Sequence, residues 1–291
     1  NRDNYTTQSA FYTRTSGWQY FTFDHSESLN IMSVNMNSSG GSLYMNGNEI
    51  IANKSSLEPK VVGGYTISPD AVTRLGREAS NSSSHTSDAH VAEVLIFYAD
   101  LSDQELAKIH QYLSVKWGIE NMDSDSDSYS DAVETAVGTS ALDATDIPSI
   151  DLSDHINTVL DRDMGMTNIQ DNVKLWLDAS NIDGQYNATI SDGQDITIWH
   201  DFSGLSSHAT DVGDMPVSVR LNEYGNNKAV IDINGGYLDT YLPGYTGQDL
   251  TIYIVYDLKE NYEGSWDSLL HNWETTYGTT FWMMDNRSGN K

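Results

Sequence analysis

The chain has 291 residues, with 15 Lys and Arg against 42 Asp and Glu, which gives a formal net charge of −27. This charge argues against nucleic-acid binding and against attachment to an anionic membrane, because both require clustered positive charge. No apolar run reaches the roughly 18 residues of a membrane span, so we expect a soluble chain without membrane insertion. The absence of cysteine excludes disulfides and thiol catalysis.

The composition is typical of a folded, strand-rich protein. The hydrophobic share of 38% and the aromatic share of 10% are enough for a core, and the many Gly, Asn, Ser and Thr residues indicate strands joined by polar turns. The acidity and the lack of cysteine together predict an extracellular protein, secreted or attached to a cell surface. Divalent cations would then reduce its self-repulsion.

Residues 1–120 alternate apolar and polar side chains between frequent turns. Residues 31–36 and 42–45 fit half-buried strands of period two, and Asn46-Gly47 after them is a strong hairpin signal. Residues 91–98 are nearly all apolar, which predicts a central strand buried on both faces. His90, at the start of that strand, is expected at the surface.

A helix follows this strand. Residues 102–105, Ser-Asp-Gln-Glu, form a capping box that predicts the helix start. Gly118 predicts its end, and an apolar stripe for packing on a sheet is formed by Leu106, Ile109, Leu113 and Trp117.

Residues 121–170 differ from both flanking regions. Ser and Asp dominate residues 121–131, and the remainder has small residues and few aromatics, with a short helix predicted within residues 151–166. We interpret this region as an acidic linker or small spacer. Residues 171–291 return to the strand pattern, and strands are predicted at 173–177, 195–199, 229–233, 250–256 and 281–284.

Two stretches of the chain resemble a known family. The later stretch contains Leu175-Trp176-Leu177-Asp178-Ala179-Ser180, Asp192-Gly193 and Trp199-His200-Asp201-Phe202-Ser203-Gly204. The earlier stretch contains Leu43-Tyr44-Met45-Asn46-Gly47, Arg74-Leu75-Gly76-Arg77, Ala92-Glu93-Val94-Leu95-Ile96-Phe97-Tyr98, Leu101-Ser102-Asp103-Gln104-Glu105 and Tyr112-Leu113-Ser114-Val115-Lys116-Trp117-Gly118. They look like the opening and the close of a domain in the concanavalin A-like lectin/glucanase superfamily, in its laminin-G-like bacterial branch. The resemblance implies a mainly β fold: an antiparallel β-sandwich of jelly-roll type with one short helix.

The order of the two stretches is unusual, because the closing half comes first. Residues 1–120 resemble the C-terminal half of a sandwich and residues 171–291 the N-terminal half of one. Either half alone would leave unpaired strand edges and half a core. Three arrangements remain open: a window of a tandem array, a circularly permuted domain whose halves fold together, and completion by a neighbouring chain.

A short internal echo bears on this choice. Asn286-Arg287 repeats Asn1-Arg2, and if the two are equivalent the period is 286 − 1 = 285 residues. We therefore favour an array or a head-to-tail polymer, in which neighbouring copies of the chain are the partners.

The linker contains a candidate Ca²⁺ loop. Counting from Asp123, carboxylates fall at positions 1, 3, 5, 9 and 12 of a twelve-residue loop, and a backbone carbonyl lies at position 7, which are the ligand positions of a Ca²⁺-binding loop. Ser128 replaces the usual glycine at position 6, so a plain solvated linker is the alternative interpretation. The candidate ligands are Asp123, Asp125, Asp127, Tyr129, Asp131 and Glu134.

The family resemblance implies a second Ca²⁺ site at a loop rim of the sandwich. Its candidate ligands by position are Asp178, Asp183, Asp192 and Asp201. Each of them is alternatively a turn-forming or capping residue.

Enzymatic functions find little support. The glucanase arrangement Glu-x-Asp-x-x-Glu is missing, and Glu93 has no second carboxylate near it in sequence until Asp100. A His-Glu-x-x-His zinc motif, a Gly-x-Ser-x-Gly motif and a phosphate-binding Gly-rich loop are also missing. We therefore predict a non-enzymatic extracellular module: a repeat of a large surface adhesin or a subunit of a surface filament.

Carbohydrate binding is the alternative function, as a lectin-like domain of a larger secreted protein. It needs an exposed aromatic ring for stacking and polar side chains for the sugar hydroxyls. Candidate aromatics in polar contexts are Trp18, Trp266, Trp273 and Tyr277.

Overall fold

The structure is a computed structural model. It describes residues 6–13, 17–24, 28–37, 40–50, 72–77, 87–119, 138–140, 143, 145–146, 172–213, 215–225, 228–244, 249–259, 267–274 and 278–288.

The elements fall into two groups along the chain. The first group is β1 (Thr6–Thr13), β2 (Gly17–Asp24), β3 (Asn30–Asn37), β4 (Gly40–Met45), β5 (Asn48–Ile50), β6 (Val72–Leu75), β7 (Asp88–Phe97) and the helix α1 (Asp103–Trp117). The second is β8 (Val173–Asp178), β9 (Ile198–Trp199), β10 (Ala209–Asp211), β11 (Ser218–Leu221), β12 (Ala229–Asn234), β13 (Leu238–Tyr241), β14 (Leu250–Leu258), β15 (Asp267–Glu274) and β16 (Gly278–Ser288).

Two antiparallel sheets confirm the predicted mainly β sandwich. One sheet has the order β2-β1-β16-β15-β6-β13-β10-β9, and the other has the order β11-β12-β7-β14-β3-β4-β5, with β8 paired to β7. Leu75 and Leu270 of the first sheet are buried in the same core as Ile96, Ile231 and Ile252 of the second. The apolar faces of the two sheets therefore exclude water from each other, which is the main source of stability in a sandwich.

β7 is the central strand that the apolar run of residues 91–98 predicts. One of its edges pairs with β14, and its other edge pairs with β12 at residues 88–91 and with β8 at residues 93–97. Every residue from Ala89 to Phe97 is buried. The run is apolar because both faces are covered, one by the opposite sheet and the other by α1.

The structure confirms both predicted ends of α1. The Ser102 side chain accepts a hydrogen bond from the Glu105 amide, and the Glu105 carboxylate accepts one from the Ser102 amide. Gly118 ends the helix with φ 66°, a left-handed conformation that glycine adopts without strain. The buried stripe that includes Leu106, Ile109 and Leu113 stabilises the fold by about 1.5–3 kcal/mol per side chain.

Other turn signals are confirmed as well. Asn46 and Gly47 both have positive φ, as a two-residue hairpin turn between β4 and β5 requires. The strand predicted at 195–199 is shorter than expected. Only Ile198–Trp199 is a strand, because the amide of Ile196 bonds to the Val217 carbonyl in the loop before β11.

Both sheets contain strands of the two sequence halves, interleaved with each other. Among the described strands, seven pairings join the first group to the second: β1–β16, β3–β14, β6–β13, β6–β15, β7–β8, β7–β12 and β7–β14. In the described residues the two halves therefore pair with each other within one chain, which is the arrangement in which the halves fold together. The same pairings made between copies stay a prediction.

Most of the predicted linker lies outside the described residues, as does the helix predicted at 151–166. The short described pieces are exposed except for half-buried Thr139, and Asp143 accepts a hydrogen bond from the Thr145 amide at 3.1 Å. In the part of the chain that the structure describes, no helix is long and apolar enough to cross a membrane.

His110 makes the helix–sheet contact sensitive to pH. The ring lies between Tyr44 and Tyr253, its Nε2 is 2.8 Å from Ser33 Oγ, and it is bonded to the Leu106 carbonyl. Burial lowers the pKa of His110 to about 3. Between pH 6.5 and that value the unfolded chain binds a proton that the folded chain excludes, so this contribution to stability is complete above pH 6.5 and is lost as pH falls.

We predict that lowering the pH from 7 to 5 reduces the free energy of unfolding through His110 by about 2 kcal/mol. Urea unfolding of the unmodified chain and of a His110→Gln variant at both pH values measures this contribution to the free energy of unfolding. The variant should show a smaller pH effect by that amount, and equal pH effects in the two proteins would contradict the prediction.

Candidate functional site

A buried group of charges lies where β7, β8 and α1 meet. Glu93 and Asp178 are Cα partners in the β7–β8 register, and Lys116 of α1 lies between them. Its Nζ is 2.9 Å from Glu93 Oε2 and 2.7 Å from Asp178 Oδ2. Sequence analysis places no carboxylate near Glu93, whereas strand pairing brings Asp178 directly opposite it.

Glu93 also accepts hydrogen bonds from three uncharged groups. Trp117 Nε1 donates to its Oε2 at 2.6 Å, and Trp176 Nε1 donates to its Oε1 at 2.9 Å. The Tyr112 hydroxyl donates to Oε1 at 3.3 Å. Glu93 is only 1% exposed, so both carboxylate oxygens are occupied inside the protein. We call Glu93, Tyr112, Lys116, Trp117, Trp176 and Asp178 the Glu93 cluster.

The charges of Glu93 and Lys116 depend on each other. Burial raises the pKa of Glu93, and the ion pair with Lys116 opposes that rise. Burial alone lowers the pKa of Lys116, but the two carboxylates outweigh burial and hold it above its usual range. Lys116 therefore stays protonated, and its removal would leave the buried Glu93 carboxylate without a countercharge.

The Glu93 cluster contains the residue types of an acid–base site, but its carboxylates are not open to a substrate. Paired carboxylates carry out glycoside hydrolysis when substrate reaches both of them. Here Lys116 separates Glu93 from Asp178, and two tryptophans close over Glu93. The Glu93 cluster joins the two sequence halves. Trp176 and Asp178 lie in residues 171–291, and the other members lie in residues 1–120.

Sequence analysis missed the role of Lys116. A signal was present, since Lys116 lies seven residues after Ile109 and four after Tyr112, on the side of the helix that faces the sheet. A lysine that is fully buried on such a side of a helix needs a charged partner. The identity of that partner depends on the register of β8, which local sequence does not give.

A second group of charges surrounds Asp232 on β12. Asp232 is 2% exposed, Arg220 Nε donates to its Oδ2 at 2.8 Å, and Lys259 Nζ bonds to its Oδ1. His90 lies beside this group with Nδ1 2.9 Å from the Tyr224 hydroxyl. The expectation of a surface His90 is wrong: β12 pairs along this end of β7 and buries the ring, and burial with nearby Lys259 lowers the pKa of His90 to about 4.

Asp201 organises the turn after β9. Its carboxylate accepts bonds from the amides of Trp176, Ser203 and Ser207 at 2.9 Å each, and from the Ser203 hydroxyl at 2.7 Å. The residues Asp201 and Ser203 of the later motif thus serve one structural purpose. They anchor the turn to β8, next to the Glu93 cluster.

The other candidates for the second Ca²⁺ site accept hydrogen bonds from backbone amides: Asp178 and Asp183 within their own turns, and Asp192 from the distant strand β11. Asp178 Oδ1 accepts from the Ser180 amide at 2.8 Å, and Asp192 Oδ1 accepts from the Leu221 amide at 2.9 Å. Asp183 Oδ1 accepts from the Gln185 amide at 2.8 Å. Within the described residues, no three His, Asp or Glu side chains are grouped so that they could hold a metal ion.

Most of the remaining candidate ion-binding and sugar-binding residues lie outside the described part of the chain. The six candidate ligands in residues 123–134 are outside the described residues, as are Trp266 and Tyr277. Trp18 is described only as a backbone partner of Tyr12 in the β1–β2 pairing, and Trp273 only as a partner of Val72 and Thr279. Their roles in ion or sugar binding stay predictions.

The structure shows an exposed aromatic that sequence analysis did not select. Tyr186 is 67% exposed on the loop after β8, in the left-handed region at φ 56°. One tyrosine among polar neighbours gives no periodic signal, so only the fold reveals its exposure.

No protein-family model, no curated protein and no solved structure matches this chain.

The Glu93 cluster yields a stability prediction. Glu93→Gln leaves Lys116 with Asp178 as its remaining carboxylate partner and puts an amide group among the tryptophan donors. We expect the free energy of unfolding to fall by about 1–3 kcal/mol, because hydrogen bonds to a buried carboxylate are lost. The exposed Glu223→Gln is the matched control and should change it by less than about 0.5 kcal/mol.

The coupling with Lys116 is measured by a double-mutant cycle in urea. Glu93→Gln and Lys116→Met together should cost clearly less than the sum of the single costs, because Lys116→Met alone leaves the buried Glu93 carboxylate without a countercharge and the double variant does not. Additive costs would show that the two charges do not depend on each other.

Proposed function

We propose that this chain is a non-enzymatic structural and adhesive module of an extracellular protein, either a repeat of a large surface adhesin or a subunit of a surface filament. The observation that carries this proposal is the Glu93 cluster. Its charges, which resemble those of a catalytic site in kind, are bonded to one another and hold the two sequence halves together.

The bonding of Glu93 supports a structural role. A general acid or nucleophile must offer an oxygen to the substrate within hydrogen-bond reach. Both oxygens of Glu93 are engaged by Lys116, Trp117, Trp176 and Tyr112, and its side chain is fully buried.

The interleaved sheets support a load-bearing role. β7 takes β14 on one edge and β8 and β12 on the other, and all three come from the second half of the sequence. Loss of that half would expose both edges of the central strand, so neither half is expected to unfold alone. A unit that unfolds as a whole suits a protein that bears tension between a cell and a surface.

The resemblance to the laminin-G-like branch is consistent with this proposal. We propose that the Leu-Trp-Leu-Asp-Ala-Ser and Trp-x-Asp-x-Ser-Gly patterns mark a domain of that kind. In this chain Trp176, Asp178 and Asp201 of those patterns all contribute to fastening β8, which explains why these residue types occur at this spacing.

Calcium is proposed as a stiffening ion. The net charge of −27 and the alternating carboxylates of residues 123–134 favour a hard cation that takes oxygen ligands. We predict that a chelator lowers the melting temperature and that added Ca²⁺, but not added Na⁺ at equal ionic strength, restores it. A melting curve unchanged by the chelator would argue against the ion.

Surface labelling tests the proposed function. Antibodies against the purified chain should label intact cells of the organism that produces it, and incubation with β-glucans should release no product. Labelling that requires permeabilised cells would contradict an extracellular role. Specific micromolar binding on a glycan array, lost in Tyr186→Ala or in variants of the candidate tryptophans, would instead favour the lectin-like alternative.

A further inference from the structure

The strand orders of the two sheets end in four edge strands, and one of these edges is much longer than the others. The edges are β2 and β9 in the first sheet and β11 and β5 in the second. β9, β11 and β5 contain two, four and three residues, whereas β2 contains eight. Very short edge strands are one way in which proteins avoid pairing with another chain, so β2 is the edge that offers a length suited to such pairing.

β2 also lacks the features that protect an edge strand. Proline, lysine and β-bulges hinder pairing at an edge. β2 has the sequence Gly-Trp-Gln-Tyr-Phe-Thr-Phe-Asp, without proline or lysine, and its pairing with β1 runs from Gly17 to Asp24 without a register shift. Among the described strands β2 pairs with β1 alone, so its outer edge is a regular row of backbone donors and acceptors to which a further strand can bond.

The distribution of charge favours a second copy of this chain as the partner at that edge. Charged residues make up 20% of the chain, but Arg14 is the one charged residue in the sequence from 5 to 23. Two copies with a net charge of −27 each repel one another, and their approach is least unfavourable where the charge density is lowest. A basic partner would instead be attracted to the acidic segments elsewhere in the chain.

A two-fold symmetric register exists in which every residue pair is uncharged. Opposite residues of antiparallel strands lie on the same face of the sheet, so a symmetric pair of β2 strands is centred on a residue. With Tyr20 at the centre, opposite its own copy, the other pairs are Gln19 with Phe21, Trp18 with Thr22 and Gly17 with Phe23. The two copies of Asp24 then lie at opposite ends of the pair, about 27 Å apart for strands that rise about 3.4 Å per residue, so salt screens their charges from each other.

We infer that β2 is an edge for self-association. Two copies of the chain join antiparallel through β2, with a two-fold axis at Tyr20, and their first sheets form one continuous sheet. The inference goes beyond the proposed function and does not depend on it, since two purified copies associate in this way wherever the protein works. For an adhesive module, such pairing is a direct means of cohesion between copies.

Disulfide cross-linking tests the position of the two-fold axis. The chain has no cysteine of its own, and Tyr20→Cys puts two cysteines directly opposite each other in the pair. Opposite Cα atoms in antiparallel strands lie about 4.5–5.5 Å apart, within the range of a disulfide. Ser191→Cys, at an exposed position far from β2 in the sequence, is the control for random collision.

We expect Tyr20→Cys to form the intermolecular disulfide at least about tenfold faster than Ser191→Cys, because pairing raises the effective concentration of one thiol near the other. Non-reducing electrophoresis during mild oxidation measures both rates. Equal rates in the two variants would overturn the inference.

Charge substitutions at the same position give a second, independent test. Tyr20→Lys and Tyr20→Glu each put like charges directly opposite in the pair, which is unfavourable. Sedimentation at about 0.1 mM, a concentration suited to a small interface, should therefore show association of the unmodified chain and a monomer for each variant alone. An equimolar mixture of the two variants should associate again, because the substituted side chains then carry opposite charges.

The rescue in the mixture separates lost pairing from lost folding. A monomeric unmodified chain, or association of each variant by itself, would overturn the inference. So would a mixture that stays monomeric while both variants keep the circular dichroism spectrum of the unmodified chain. If the substitutions unfold the chain, the cross-linking rates decide. Both tests use purified protein, so failure of surface labelling leaves their outcomes unaffected.

Discussion

Glu93 places a carboxylate inside the protein in the middle of the central strand. Neighbouring residues pair with this buried charge and donate hydrogen bonds to it. Lys116 supplies the countercharge from α1, and indole groups from α1 and β8 supply hydrogen bonds. A buried charge is costly unless it is paired and bonded, so the helix, β7 and β8 must be in place together. The Glu93 cluster therefore couples helix docking to the pairing of strands that lie far apart in sequence.

This coupling accounts for the recognisable motifs. The Glu of the earlier stretch, the Lys-Trp at the end of the helix, and the Trp and Asp of the later stretch are the members of one contact group. Asp201 extends the group by bonding the Trp176 amide and fastening the turn after β9 to β8. These motif residues lie far apart in the sequence, but in the structure they contact one another around Glu93. The polar groups form a joint between halves, and the apolar residues of both sheets form the common core.

The distribution of charge is consistent with the proposed structural and adhesive role. Positive residues are few, and in the described part of the chain Lys116, Lys259, Arg74 and Arg220 are all paired with carboxylates. The remaining negative charge repels itself, and dissolved cations screen that repulsion. An array of such units would be extended by its own charge and stiffened by divalent ions, which agrees with the proposed role outside the cell.

The sequence by itself determined the local structure: the central apolar strand, both caps of α1 and the Asn46-Gly47 turn, because periodicity, capping and turn chemistry act within a few residues. It also indicated that two half-sandwiches are present. Only the tertiary structure decided that strands of the two halves share both sheets, that Asp178 lies opposite Glu93, that His90 is buried and that Tyr186 is exposed. The physical reason is that register between distant strands follows from burial of whole sheet faces, and no short window of sequence carries that information.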